Sequence, residues 1–152
     1  MSVVAPSYIY TMIALVIVSS LLVFSFMAYA EAIDASSEVK SLKNLMDQVA
    51  AKCIGMVSLA TITNASSSCY VQVPSSIGNS QYWLQLHNDS SKAWLEGGLG
   101  QTVIERTGMQ VYLLSNIFAS GVYVGEHGSI HLQCIVEGSV PHITLTGLSM
   151  EG

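Results

Sequence analysis

The stretch from Ser7 to Tyr29 constrains this chain more than any other part of it. It reads SYIYTMIALVIVSSLLVFSFMAY and contains no charged residue. At 1.5 Å per residue, roughly 23 helical residues reach about 34 Å, against a membrane hydrocarbon core of about 30 Å. The core helix of a soluble domain carries a polar face, whereas this segment is apolar on every side apart from small hydroxyls. Those hydroxyls, on Thr11, Ser19, Ser20 and Ser25, are expected to bond back to the carbonyl four residues earlier, leaving no unmet polarity. The segment reads as one helix that either crosses a membrane or packs among other helices in a filament.

The helix is expected to continue past its apolar half. Residues 31–52 contain no Pro or Gly, and Val39, Leu42, Met46, Val49 and Cys53 recur at intervals of three and four. That spacing lays one apolar stripe along an otherwise polar helix. Gly55 is the expected stop, giving a helix of about 45 residues. From Met56 the pattern changes to period two. MVSLATITN, CYVQVP, QYWLQLHN, MQVYLL, GVYVG, IHLQCIVEG and HITLTGL are short, rich in β-branched and aromatic residues, and broken by turn formers. They predict an antiparallel sheet or small sandwich. The runs 66–68, 75–80, 88–91 and 97–100 read as loops, with a helical turn as an alternative for 90–95. The organisation is therefore α+β: an apolar helix over 1–30, an amphipathic continuation over 31–54 and a β-rich domain over 55–152. The stripe Val39, Leu42, Met46, Val49 and Cys53 is expected to pack on the sheet.

Composition narrows the function. Charged residues make up 10% of the chain, against about 25% in ordinary soluble proteins. All five Lys and Arg lie at or after Lys40, so the shortage is not confined to the apolar helix. Ser, Thr, Asn, Gln and Tyr solvate the remainder without charging it, which suits a protein covered by copies of itself or exported from the cell. A net charge of −5 removes the electrostatic footprint a nucleic-acid partner requires.

No catalytic constellation emerges from the spacing. GxSxG is absent, and 97–100 is a glycine cluster with no following Lys-Ser. No metal or other cofactor is expected, since no CxxC and no His/Cys pair at metal spacing occurs. His87, His127, His131 and His142 read as exposed polar residues of a sheet, with a weaker reading of His127 and His131 as a site with Glu126 or Glu137. An enzyme is not expected. Of the three cysteines, Cys53 belongs to the helical stripe, which leaves Cys69 and Cys134 as the candidate disulfide in an oxidising compartment. Asn64-Ala65-Ser66 and Asn88-Asp89-Ser90 are sequons at loops, making Asn64 and Asn88 candidate glycan sites. Tyr70, Tyr82, Trp83, Trp94, Tyr112 and Tyr123 are expected in the sheet core, with any outward members available for subunit contact.

A long N-terminal helix, half apolar and half amphipathic, joined to a Ser/Thr/Gly-rich β-domain resembles the layout of type IV pilin-like proteins. The resemblance is closer to the archaeal pilins and archaellum-related subunits, and it rests on Tyr8 to Tyr29, the stripe from Val39 to Cys53 and the β-patterned remainder. It implies a structural subunit of an extracellular filament whose helices bundle into the core, with Tyr8, Ile13, Val16, Leu21, Phe24 and Phe26 as assembly residues. The implied partners are the chain itself as a homopolymer, the membrane before assembly, and a pilus assembly motor. The family's leader carries Lys or Arg and usually ends in Gly; here only Met1 to Pro6 precede the run, as in a processed chain or an unprocessed membrane protein. A secretory signal cleaved after Ala30 is the weaker reading, because the apolar run far exceeds the usual 7–15 residues and lacks a positive flank. A single-pass anchored binding protein is the other alternative.

Overall fold

A computed structural model of the chain describes residues 4–103, 108–126 and 128–147. One α-helix, α1 (Val4–Thr63), is followed by seven strands: β1 (Ser67–Gln72), β2 (Tyr82–Asn88), β3 (Ala93–Leu99), β4 (Met109–Tyr112), β5 (Phe118–Val124), β6 (Ser129–Glu137) and β7 (Val140–Gly147). They form one sheet in the order β1-β6-β7-β5-β2-β3-β4, antiparallel except where β5 runs parallel to β7. The α+β class expected from the pattern is the one observed. Two units divide the chain, Met1–Ser37 and Glu38–Gly152.

Two expectations fail at the end of the helix. Gly55 does not stop it, and 56–63 is helical, not the first strand. The apolar spacing explains this: Met56, Val57 and Ala60 follow Cys53 at three, four and seven residues, and all three are buried. Gly inside a helix costs about 1 kcal/mol relative to Ala, less than burial of the Met56 and Val57 side chains contributes at about 1.5–3 kcal/mol each. Thr61 and Thr63 donate their hydroxyls to the carbonyls of Val57 and Leu59, satisfying β-branched residues that otherwise signal a strand. The helix stops at Asn64, whose φ of 51° is the left-handed conformation that closes a helix C-terminus.

The helical side of the core consists of Leu42, Leu45, Met46, Val49, Ala50, Cys53, Met56, Val57 and Ala60. Leu42, Met46, Val49 and Cys53 pack as expected, but Val39 does not and is 46% exposed. Its neighbour Glu38 explains the difference. The Glu38 carboxylate accepts hydrogen bonds from the Asn79 N–H (3.2 Å) and the Ser80 hydroxyl (3.0 Å), so Glu38 is the residue turned toward the domain. Consecutive helical residues diverge by about 100°, which turns Val39 away.

One register row crosses the inner face of all seven strands: Cys69, Leu132, Leu145, Gly121, Leu86, Leu95 and Val111. β3 is the strand the pattern misses, because Gly97 and Gly98 read as a loop. Both glycines are needed in the strand. A Cβ on Gly97 would lie 2.8 Å from Met46 Sδ on the helix, and one on Gly98 would lie 2.8 Å from the Trp83 indole on the opposite face. The glycines let the helix approach one side of β3 and the indole lie flat on the other.

Candidate assembly surfaces

Two surfaces and one group of cysteines carry the residues singled out by sequence. The first is the apolar part of α1. Thr11, Ser19, Ser20 and Ser25 each donate a hydroxyl hydrogen bond to the carbonyl four residues earlier, at 2.7–3.1 Å. These four hydroxyls are thereby satisfied within the helix, and between Thr11 and Met27 it offers a largely apolar exterior. Tyr8, Ile13, Val16, Leu21, Phe24 and Phe26 are all exposed, from 52% to 78%. Every described residue from Pro6 to Ser37 is exposed. This helix is long and apolar enough to cross a membrane. An all-round apolar surface of this length demands lipid or other protein around it.

The second surface is the outer face of the sheet, away from the helix. Its central row runs Tyr70, His131, Thr146, Val122, Gln85, Glu96 and Gln110. Three of its members or neighbours are imidazoles stacked on aromatic rings. His131 lies on Tyr70 with centroids 4.7 Å apart, His142 on Phe118 at 4.7 Å, and His87 on Trp94 at 5.4 Å. Tyr82, Trp83 and Tyr123 are buried as expected, whereas Tyr70 and Tyr112 are exposed on this face together with Phe118, Val122 and Ile135. These are the outward members available for contact.

Glu96 is the residue that sequence reasoning passed over. It is 2% exposed, and its Oε2 lies 3.1 Å from His87 Nε2. The alternation in Trp94-Leu95-Glu96 was the available signal, hidden by the glycines that follow. The histidine grouping suggested by sequence is not assembled by the described residues. His127 lies outside them, His131 stacks on Tyr70, Glu126 accepts from Gln81, and Glu137 stands 4.0 Å from His142. Among the described residues no cluster of three or more His, Cys, Asp or Glu is arranged to hold a metal ion.

The third group is the cysteines, where the structure corrects the sequence. Cys69 and Cys134 are not bridged; both are free, as is Cys53. The register gives the reason. Cys69 sits opposite Leu132, and Cys134 sits opposite Ser67, so the two thiols are diagonal neighbours on one face. Diagonal positions are about 7–8 Å apart, beyond the usual Cα span of a disulfide. The Cys69 thiol instead contacts Met56 Sδ at 3.3 Å. Burial, reinforced by the nearby Cys69 and Cys134, pushes the Cys53 thiol up to about 12, and burial also raises Cys134. Both are held as neutral, apolar core groups and not as nucleophiles.

Asn64 and Asn88 both lie exposed, at the end of α1 and the end of β2. No protein-family model, curated protein or solved structure matches the chain.

Proposed function

We propose that the protein is a structural subunit of an extracellular, type IV pilus-like filament, held in a membrane by its helix before assembly. The observation that carries this reading is the apolar run of α1, exposed on all sides and free of charge, on a helix that continues without a break to Thr63. A plain anchor needs only the first part. Burying about 2,000 Å² of such helix at ~25 cal/mol/Å² is a gross term of order 50 kcal/mol from water. Lipid already satisfies that surface, so withdrawal from the membrane requires a motor, and the finished filament then resists dissociation. The role is structural, with the chain itself as main partner.

The test is electron microscopy of purified full-length protein after detergent removal, with its sedimentation in detergent measured in parallel. Fibres with an ordered helical core support the filament. Monodisperse monomers or dimers that form no fibres refute it and leave a single-pass anchored protein with an exported sheet domain.

A further inference from the structure

The sheet ends in two open edges, β1 and β4. Edge strands are ordinarily guarded by a charge, a proline or a bulge. Here Ser67–Gln72 and Met109–Tyr112 carry neither charge nor proline. The inner neighbours fix which way each backbone group points. The Val73 N–H donates to the Gly128 carbonyl in line with β6, and the Leu113 N–H to the Ala93 carbonyl of β3. Backbone groups alternate sides along a strand, so the odd-numbered residues of both edges bond into the sheet. The even-numbered ones direct N–H and C=O outward, where no strand of this chain lies: Ser68, Tyr70 and Gln72 on one edge, Gln110 and Tyr112 on the other.

We propose that these edges pair between copies, β4 of one chain against β1 of the next, with Tyr112 opposite Tyr70 and Gln110 opposite Gln72. The pairing concerns the sheet unit alone and does not depend on the filament reading. Every junction from β1 across to β4 is antiparallel except that of β5 with β7, so the two edges run in opposite directions. A copy added edge to edge, with its helix-bearing face on the same side, therefore meets the first antiparallel. Both named pairs are of the type in which opposite residues exchange two backbone hydrogen bonds. Val111 then stands opposite Val71 on the inner face, where both already flank the core. On the outer face the exposed Tyr112 and Tyr70 cover one another as a cross-strand aromatic pair.

A separate feature agrees with this register. On the outer face His131 is stacked on Tyr70; at the other edge Tyr112 is the strand partner of Trp94, on which His87 is stacked. Joining the edges makes one row of rings: His87, Trp94 and Tyr112 of one copy, then Tyr70 and His131 of the next. Sliding the strands by two residues breaks that row. In one direction Tyr112 meets Ser68, and in the other Gln110 meets Pro74, which has no N–H to give. A slip of one residue sets the outward groups out of phase and turns Val71 against an outer-face side chain. Pairing β1 with β1 would leave both β4 edges open, whereas β4 with β1 leaves an edge only at the ends of an array. Such a heterologous contact repeats from copy to copy.

The experiment uses full-length protein in detergent and reads covalent dimers after mild oxidation, in chains with Cys69→Ala because that thiol borders the same edge. A chain with Val71→Cys mixed with a size-tagged chain with Val111→Cys should give a mixed dimer, since Cα atoms of such a pair stand about 4.5 Å apart, within disulfide reach. Either chain oxidised alone, and Val71→Cys mixed with Met109→Cys, should yield about tenfold less. Adding Gln72→Lys to the first chain and Gln110→Lys to the second sets like charges opposite one another and should lower the mixed-dimer yield about threefold; Gln72→Glu with Gln110→Lys should restore it. Both glutamines are exposed, so these changes leave the fold of each copy intact. No mixed dimer, equal yields from a single chain or from the Met109 substitution, or a yield indifferent to the charges would overturn the pairing. None of these readouts requires fibres, so their failure is distinct from failure of the filament reading.

Discussion

Replacing Val18 by Asp places a charge at the most costly point of the apolar helix. Val18 is eleven residues from Ser7 and eleven from Tyr29, about 16 Å of helix in either direction, which puts it at mid-depth of a 30 Å hydrocarbon layer. Its side chain is 55% exposed and belongs to no part of the buried core, so the substitution removes no packing within the chain. The cost is therefore that of an unpaired carboxylate facing lipid or apolar neighbours. At mid-bilayer this is about 2.5–3.5 kcal/mol, or roughly 60- to 400-fold in an insertion equilibrium. The adjacent Ser19 and Ser20 show what the site tolerates: each returns its hydroxyl to a carbonyl within the helix, at 2.7 Å. Asp has no such escape for a full charge. Membrane-fraction yield and filament number are the readouts, with Val18→Leu as the conservative control and Ser58→Asp, at an exposed polar position of the same helix, as the control for the charge itself. Unchanged yield and filament number in Val18→Asp would refute the claim that this helix works by being apolar on every side.

Further outcomes follow from the sheet unit. Gly121 has a φ of +126°, and a Cβ there would run into the Leu145 backbone of the parallel neighbour β7; Gly121→Ala should cost at least ~2 kcal/mol and lower the Tm measured on detergent-solubilised protein. Titration under denaturing conditions without reductant should find three free thiols, and reductant should leave Tm unchanged. In the folded state Cys53 and Cys134 should react far more slowly than after unfolding. Their raised folded pKa values mean that stability is fully present below about pH 9, the ordinary thiol value, and declines as pH rises toward about 12 for Cys53; a chemical-denaturation midpoint that stays flat across that window would contradict the burial assigned to them. Glu38→Ala should remove two hydrogen bonds and speed amide exchange at Asn79 and Ser80, with about 1–3 kcal/mol lost.

What could be read in advance was periodic. The charge-free run and the stripe at Leu42, Met46, Val49 and Cys53 are local patterns, and six of the seven strands fall where alternation places them. The exposure of Tyr8, Ile13, Val16, Leu21, Phe24 and Phe26 was legible for the same reason, since an all-apolar helix with no polar face shows in the sequence without knowledge of its neighbours. What misled was chemistry whose meaning depends on the partner. Gly55 looked like a stop, and Thr61-Ile62-Thr63 looked like a strand, because the buried side of Met56, Val57 and Ala60 exists only once the sheet is present. Gly97 and Gly98 looked like a loop, because Met46 and Trp83, the groups that require their bare backbone, come from other elements.

The sequence by itself determined the kinds of surface this chain carries: a helix apolar all round, then a one-sided helix, then alternating strands. The periods 3.6 and 2 are set by backbone geometry and need no tertiary partner to show through. Only the tertiary structure decided where the helix ends, that Glu38 and not Val39 faces the domain, that β5 and β7 run parallel, and that Cys69 and Cys134 stand diagonal and unbridged. Those outcomes depend on register, which is a relation between segments far apart in the chain. No local pattern encodes it.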